Sequence, residues 1–253
     1  MIKISIIGAG NVASHLATAF MASERIQLLQ LYARRTDVAM ALPAGVAVVH
    51  ELGALDVADL YIIAVSDSAI AGISAQLPFG DRLVVHTSGT MPFETIDPKN
   101  RRGVFYPLQT FSKEKPVVSD QIPLCIEAEN SADQTLLFEV ANAISEQVYA
   151  INGTQRQALH VAAVFVNNFV NQLYTVAEQI CNDNGLPFDM LKPLIRETSE
   201  KVMSLSPRAA QTGPASRNDL QTIAAHTAFL TDPNIKEIYT LLTQSILSNG
   251  QKL

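Results

Sequence analysis

The sequence of 253 residues is long enough for one large domain or two ordinary ones. Hydrophobic residues make up 48% of it and charged residues 17%, so the chain can bury a full core and is not of the disordered class. Its formal net charge of −6 provides no overall positive field. We therefore expect neither nucleic acid nor an anionic membrane surface as a partner.

The sequence shows neither a charged leader with an apolar stretch nor a run of about 18 uncharged apolar residues. We therefore expect no signal peptide and no membrane span, and a cytoplasmic location. The two cysteines, Cys125 and Cys181, are far apart, which favours reduced structural thiols over a disulfide or a metal site.

The first predicted strand, residues 2–7, runs into the sequence GAGNVA and then into an apolar helix. The spacing G-x-G-x-x-A is typical of a dinucleotide-binding turn. Its first glycine permits the tight turn, its second lets backbone approach a pyrophosphate, and the alanine lets the helix pack closely on the strand. The helix N-terminus directs free N–H groups at the phosphates. A purely structural glycine turn is the alternative. The residues predicted to bind the nucleotide here are Gly8, Gly10, Asn11, Val12 and Ala13.

Short apolar strands alternate with helices through about residue 150, which predicts a mostly parallel sheet covered on both faces. Strands are predicted near 2–7, 27–33, 45–49, 60–65, 82–87, 102–106, 122–127 and 147–150. Helices are predicted near 11–22, 67–76 and 131–145, with a short one after Thr36.

From Asn152 onward the pattern is purely helical. Helices are predicted over 154–184, 188–205, 218–230 and 233–248, with Asp232 as the N-cap of the last. The fold class is therefore α/β: a Rossmann-type, doubly wound, mostly parallel sheet in residues 1–151, followed by an all-helical C-terminal domain in residues 152–253.

The second predicted strand ends at Arg34 and Arg35, where NAD-specific domains usually place an acidic residue for the ribose 2′-hydroxyl. Two guanidinium groups suit a 2′-phosphate, because arginine offers a fixed fork of donors and a permanent charge. This pair predicts NADP as the cofactor in preference to NAD. A solvated basic loop is the alternative.

Polar residues follow the fourth and fifth predicted strands, at the sheet edge where open α/β sheets bind ligands. Ser66 and Asp67 follow the fourth strand, although Ser66 could equally cap the next helix. His86 and Ser88 belong to the second of these stretches, HTSG, in which a titratable imidazole and two hydroxyl groups could act near neutral pH. We expect these residues to border the ribose and the nicotinamide.

Three further candidates lie later in the chain. The segment FYPLQTF, residues 105–111, could form one wall of a pocket with its aromatic rings, Tyr106 among them, and the amide of Gln109, although a plain core-and-turn role is equally consistent. His160 and Asn167 share one face of the long helix, either as a satisfied buried network or as part of a catalytic cleft. Arg217 follows a Gly-Pro bend and could hold a substrate anion, or it could be solvated beside a helix cap.

Taken together, these residues resemble a group of bacterial proteins that join a Rossmann-like NADP-binding domain to a helical C-terminal domain of unknown function, described as NADP oxidoreductases. The more distant similarity is to pyrroline-5-carboxylate reductase, deazaflavin-dependent NADP oxidoreductase, ketopantoate reductase and β-hydroxyacid dehydrogenases. The resemblance implies hydride transfer at a cleft between the domains, and a helical domain that builds a homodimer. It is carried by residues 8–13, 85–89, 105–111, 160–168 and 212–214, with Arg217 and Asp219.

The sequence departs from these relatives at one mechanistic position. The hydroxyacid dehydrogenases and ketopantoate reductase carry a catalytic lysine on the first helix of the second domain, with asparagine four residues later. Here that helix offers His160, and residue 164 is valine. A lysine acid is therefore not carried over to this chain.

The leading hypothesis is an NADP-dependent oxidoreductase acting on a small, anionic carbonyl or imine substrate. Catalytic roles are predicted for His160 as proton donor, for Asn167 and for His86, with Arg217 and Gln109 binding the substrate. The alternative is a dinucleotide-binding sensor or interaction module, which needs no proton donor.

Overall fold

The computed structural model describes residues 1–35, 45–112 and 119–250. The short helix predicted after Thr36 lies outside the described residues. The chain divides into two compact units, Met1–Asn168 and Phe169–Leu253.

An eight-stranded sheet forms the centre of the first unit as described. Its spatial order is β3-β2-β1-β4-β5-β6-β7-β8, and neighbouring strands are parallel except for the antiparallel pair β6 and β7. The order reverses between β1 and β4, the position at which open α/β sheets bind ligands. In chain order the strands are β1 (Ile2–Ile7), β2 (Ile26–Tyr32), β3 (Ala47–Val49), β4 (Leu60–Ile63), β5 (Leu83–His86), β6 (Arg101–Pro107), β7 (Leu124–Ala128) and β8 (Val148–Ala150).

The hydrophobic core lies on both faces of this sheet, because successive side chains of a strand point to opposite faces. Helices α1 (Asn11–Met21) and α3 (Ser131–Ala141) pack on the face that contains Ile6, whereas α2 (Ile70–Gln76) packs on the face that contains Ile7. Strands buried on both faces must be apolar throughout, which explains the nearly continuous hydrophobic runs in the sequence. The predicted Rossmann-type, mostly parallel sheet is confirmed.

Helix α4 (Gly153–Ala163) begins at the break that the sequence indicates. The Asn152 side chain accepts a hydrogen bond from the backbone N–H of Gln155 at 2.9 Å, and the Gln155 side chain accepts one from the N–H of Asn152 at 3.0 Å. This reciprocal capping box satisfies two N–H groups that the helix itself leaves unpaired. The predicted domain limit therefore coincides with a helix start, whereas the two compact units divide at Asn168.

A π-helical segment, Val164–Phe169, follows α4 where the sequence predicts one uninterrupted helix. A π turn contains more residues than an α turn, so it changes which side chains share a face. Helical periodicity alone cannot locate such a segment. Helix α5 (Val170–Asp183) comes next in the chain.

The second unit continues with α6 (Lys192–Ser204), α7 (Pro207–Ala210), α8 (Leu220–Phe229) and α9 (Pro233–Gly250). The sequence did not predict α7, which starts because Ser206 accepts a hydrogen bond from the N–H of Ala209 and proline occupies the first helical position. Among the helices that the structure describes, none has the length and apolar character needed to cross a membrane. The cytoplasmic location stays a prediction.

The ends of the last two helices follow from their caps. Helix α8 starts two residues later than predicted, because Asn218 adopts a left-handed φ of 54° and Asp219 accepts a hydrogen bond from the N–H of Thr222. The predicted N-cap of α9 is confirmed, since the Asp232 carboxylate accepts from two N–H groups of the first turn.

Candidate functional site

The glycine turn connects β1 to α1 at the point where the strand order reverses. Gly8 has a φ of 135°, and a Cβ atom at this position would lie 2.2 Å from the backbone oxygen of Ala64. Ala64 directly follows β4, the neighbour of β1 in the sheet. Glycine is therefore required at residue 8 both by the backbone angle and by the close approach of the two strand ends.

Gly10 serves as the N-cap residue of α1, with an ordinary φ of −87°. Within the described chain, a Cβ atom on Gly10 would meet no heavy atom within 4 Å, so packing does not demand glycine here. The first turn of α1 has no acidic residue and no side-chain cap among the described residues. Its N–H groups and the helix dipole are thus of the kind that can hold a phosphate, and they adjoin open space that a side chain would fill.

A cavity of about 570 Å³, the first cavity, opens at this turn along the carboxyl ends of the strands. It brings together six of the predicted site residues: Gly10, Asn11, Val12, Ser66, Gln109 and Asn167. It is also lined by Ala9, Ala64, Val65, Thr87, Thr110, Phe111 and Asn168. Gly8 and Ala13 are buried and shape the turn from below, whereas Asp67 and Ser88 are not among the described lining residues.

Two side chains of α1 make hydrogen bonds to the segment that follows β6. The Asn11 amide donates a hydrogen bond to the carbonyl oxygen of Phe111 at 2.9 Å, and Nε2 of His15 lies 3.1 Å from the carbonyl oxygen of Ser112. The rings of His15 and Phe111 are 4.8 Å apart. The side-chain amide of Asn11 is therefore engaged within the protein, and the predicted contact of Asn11 with a nucleotide stays a prediction.

Arg34 and Arg35 follow the end of β2, and both are exposed. Neither is among the described residues that line the first cavity. Their predicted contact with a 2′-phosphate stays a prediction.

Hydroxyl groups connect the ends of β4 and β5. The Thr90 hydroxyl donates to the Asp67 carboxylate at 2.7 Å, and the Ser88 hydroxyl accepts from the backbone N–H groups of Thr90 and Met91 at 3.1 and 3.0 Å. Asp67 and Ser88 thus stabilise the loop after β5. Their side chains are engaged by the protein in a way that the sequence did not predict.

His86 also serves this loop, and the structure corrects its predicted role. The ring is fully buried, with Nε2 3.2 Å from the carbonyl oxygen of Pro92 and Nδ1 accepting from the N–H of Ser88 at 3.2 Å. Burial lowers the pKa of His86 to about 4, although the carbonyl oxygen of Pro92 opposes this shift. A neutral ring whose two nitrogens are occupied by backbone groups cannot donate a proton to a substrate.

A second cavity, of about 400 Å³, adjoins the first. The two share Gln109, Thr110, Asn167 and Asn168 in their linings. The second cavity is lined mainly by apolar side chains, and its described lining contains no lysine, arginine or carboxylate. The remaining lining residues are Tyr106, Leu108, Leu159, His160, Ala162, Ala163, Val164 and Val166.

His160 faces Tyr106 in this cavity. Nδ1 of His160 lies 3.0 Å from the Tyr106 hydroxyl oxygen, and the ring planes meet at 64°. Burial raises the pKa of Tyr106 to about 12, so the phenol keeps its proton at neutral pH. The sequence predicted His160 but gave Tyr106 only as a possible pocket wall.

Asn167 and Asn168 both line the two cavities, and both are exposed. They lie on the π-helical segment, and irregular turns of this kind occur often at functional sites. The exposed amides and the half-buried His160 do not form the buried, satisfied network that was the alternative interpretation of this face. The sequence predicted Asn167 and missed Asn168.

Arg156 attaches α4 to the sheet one turn before His160. Its side chain is 1% exposed, forms an ion pair with Glu127 of β7 and donates a hydrogen bond to the carbonyl oxygen of Met91 at 2.7 Å. A buried arginine needs such partners, because burial of an unpaired charge is very costly. Arg156 is thus a supporting residue that the sequence does not reveal, because its neighbours Gln155 and Gln157 are polar and give no sign of its burial.

Arg217 belongs to the second unit. It ends the short 3-10 helix Ala215–Arg217, and its side chain is exposed. The neighbouring Asp219 caps α8, and hydrogen bonds from Thr222 keep the pKa of this carboxyl below its usual value. The predicted contact between Arg217 and a substrate anion stays a prediction.

Comparison with known proteins identifies relatives along the whole chain. The family model "Domain of unknown function (DUF2520)" matches residues 122–246. The crystal structure of a "putative NADP oxidoreductase" from Bacteroides fragilis is 38% identical, with 98% of each chain covered and a TM-score of 0.86. None of the curated proteins matches the chain.

Two more distant structures share the fold. A protein of Thermotoga maritima is 19% identical, with 98% of each chain covered and a TM-score of 0.75. The Plasmodium falciparum pyrroline carboxylate reductase, solved with NADP bound, is 14% identical over 97% of this chain and 98% of that chain, with a TM-score of 0.63.

Proposed function

The chain belongs to the family of Rossmann-like NADP oxidoreductases that includes the Bacteroides fragilis protein, and we propose that it is an NADP-dependent oxidoreductase acting on a small carbonyl or imine compound. The observation that carries this proposal is the junction of the two cavities at Gln109, Thr110, Asn167 and Asn168. One cavity begins at a dinucleotide-type turn, and the other contains a histidine and a tyrosine. A cofactor in the first would lie directly beside a substrate in the second.

The first cavity has the features that a dinucleotide needs. Gly8 sets the turn, Gly10 leaves space beside the α1 N-terminus, and the free N–H groups there suit a pyrophosphate. Ser66 and Thr87 supply hydroxyl groups further along the cavity. NADPH, when bound, supplies the hydride. Arg34 and Arg35 hold its 2′-phosphate in this proposal.

The second cavity holds the substrate. His160 donates a hydrogen bond to the oxygen or nitrogen atom that becomes more basic during reduction. When the ring carries both protons, it gives one of them to that atom and returns to the neutral imidazole. Asn167 and Gln109 orient the substrate by their amides, and apolar side chains exclude water. An anionic substrate would need a cation from outside the described lining, and Arg217 is the candidate for that contact.

An open cavity beside the candidate cofactor site favours an enzyme over a binding module. A sensor needs no space next to the nicotinamide, whereas the second cavity offers about 400 Å³ with His160 and Asn167 in its lining. The observation therefore supports catalysis.

We further propose that the protein is a homodimer assembled through its helical unit. Among the described residues of that unit, the buried hydrophobic ones are Cys181, Ala215 and Ile235. Large apolar side chains remain exposed on every major helix of the unit, and such surface marks an interface. Examples are Leu173, Leu194, Met203, Phe229 and Leu241, which are 37%, 62%, 84%, 62% and 59% exposed.

Thermal unfolding with each nucleotide tests cofactor binding and specificity. A ligand that binds the folded state alone raises its stability by mass action, so NADPH is expected to raise the melting temperature more than NADH does. The variant Arg34→Gln, Arg35→Gln is expected to lose this preference. Arg25→Gln is the matched control, because Arg25 is exposed just before the opposite end of β2. Equal shifts for the two nucleotides in the unmodified protein would contradict NADP specificity, and no shift with either would contradict nucleotide binding.

A further inference from the structure

The Tyr106 hydroxyl lies at the end of a buried strand, against the ring of the proposed proton donor. Tyr106 is 8% exposed, and its oxygen is 3.0 Å from Nδ1 of His160. These residues are 54 positions apart in the sequence, so the pair exists only in the folded chain.

The space around this pair leaves no room for displacement on the side of Gly89. A Cβ atom on Gly89 would lie 2.6 Å from Nδ1 of His160 and 2.9 Å from Cζ of Tyr106. Gly89 is in the loop after β5, which His86 and Ser88 stabilise. On the helix side, the buried Arg156 fixes α4 one turn before His160. The ring is therefore confined by Tyr106 and by the loop at Gly89, and it lies on a helix whose position Arg156 fixes.

We infer that Tyr106 is a positioning residue for His160, whose hydroxyl group donates to Nδ1 and so keeps the proton of the neutral imidazole on Nε2. This inference rests on the proposed function in one respect: the proposed function supplies the substrate that would accept a hydrogen bond from Nε2–H. Nε2 has no hydrogen-bond partner among the described residues, whereas Nδ1 has one. The free donor of the ring is then available to a ligand in the second cavity.

The direction of the hydrogen bond follows from the needs of the phenol. The His160 ring nitrogen is the one partner that the described structure gives to the Tyr106 oxygen. If Nδ1 carried the proton instead, the O–H group of Tyr106 would have no acceptor among the described residues. When the ring is doubly protonated, the same hydroxyl can turn and accept from Nδ1–H. Tyr106 therefore orients the ring in both protonation states.

Nuclear magnetic resonance of protein labelled with ¹⁵N-histidine tests the inference without substrate or cofactor. Two-bond ¹H–¹⁵N correlations distinguish the two tautomers of each of the five histidines, and His160→Gln assigns the signals of residue 160. We expect the neutral His160 ring to be in the Nε2–H form. An Nδ1–H form in the unmodified protein overturns the inference.

The variant Tyr106→Phe removes only the hydroxyl group. We expect it to convert His160 to a mixture of tautomers while the other histidine signals stay in place. Tyr239→Phe is the matched control, because the Tyr239 hydroxyl lies 3.0 Å from Nδ1 of His226 and its removal should alter that ring alone. An unchanged His160 tautomer in Tyr106→Phe also overturns the inference.

A second variant covers the case in which Tyr106→Phe does not fold. Gly89→Ala places a methyl group against both rings and is expected to change the His160 signals in the same sense. Unchanged signals count against the inference. NADPH binding is measured separately by thermal shift, so failure of the tautomer experiment is distinguishable from failure of the proposed cofactor site.

Discussion

The backbone oxygen of Ala64 lies 2.2 Å from the position that a Cβ atom on Gly8 would occupy. Gly10, two residues later, has open space at the corresponding position. One glycine of the turn is therefore required by the protein itself, whereas the other is explained by a ligand.

Alanine substitutions separate these two roles. Gly8→Ala combines a backbone clash with a φ of 135°, and we expect it to lower the free energy of unfolding by on the order of 3 kcal/mol. Gly10→Ala should change that free energy by less than about 1 kcal/mol. It should nevertheless weaken NADPH binding about tenfold or more, equivalent to about 1.4 kcal/mol. Urea unfolding and calorimetric titration measure both quantities, and unweakened binding by Gly10→Ala would refute a phosphate site at the α1 N-terminus.

The buried His86 makes stability depend on pH. The pKa of its ring falls from 6.5 in the unfolded chain to about 4 in the folded one, so the unfolded state binds more protons between these values. Above pH 6.5 the ring is neutral in both states, and its full contribution to the free energy of unfolding is present. That contribution is lost as the pH falls towards 4, because the unfolded chain then binds a proton that the folded chain does not. Between pH 7.5 and pH 4.5 this group lowers the free energy of unfolding by about 2–3 kcal/mol.

The variant His86→Gln removes this titration. The difference in free energy of unfolding between the unmodified protein and the variant should shrink by the same amount on acidification, because the carboxyl groups titrate in both proteins. Urea unfolding at the two pH values measures it. If the difference in free energy of unfolding between the two proteins is the same at both pH values, the ring is not held neutral.

Two arginine–glutamate pairs lie near β7 in different surroundings. Arg156 is 1% exposed and pairs with Glu127, whereas the Arg102 side chain is 18% exposed and its partner Glu129 is 42% exposed. Arg156→Met leaves a carboxylate without its buried partner and should cost about 3–5 kcal/mol of unfolding free energy. Arg102→Met should cost less than about 1 kcal/mol. Equal losses in chemical denaturation would contradict the role given to Arg156.

The apolar surface of the helical unit predicts self-association. Light scattering after gel filtration should give twice the chain mass of 27.4 kDa. On α6, Leu194→Gln replaces an exposed apolar side chain, whereas Glu200→Gln, at an exposed polar position, is its control. We expect Leu194→Gln to dissociate into monomers at a higher protein concentration than Glu200→Gln does. A mass of 27.4 kDa for the unmodified protein throughout the dilution series would rule out the dimer.

Local sequence accounts for the parts of the fold and site that depend on neighbouring residues. The eight strands, the turn from β1 into α1 and the capping residue Asp232 all lie at or next to their predicted positions. The π-helical segment was not predicted. Its residues are as compatible with a helix as those around it, and the irregular turn changes only which side chains share a face. Asn168 was missed for the same reason.

The sequence by itself determined that this chain contains a doubly wound sheet with a dinucleotide-type turn, because strand periodicity and glycine spacing act over a few residues. The tertiary structure decided what the polar side chains do. Long-range packing buried His86 against backbone groups and brought Tyr106 to His160. Burial and hydrogen-bond partners fix the protonation of such groups, and residues distant in the sequence supply both.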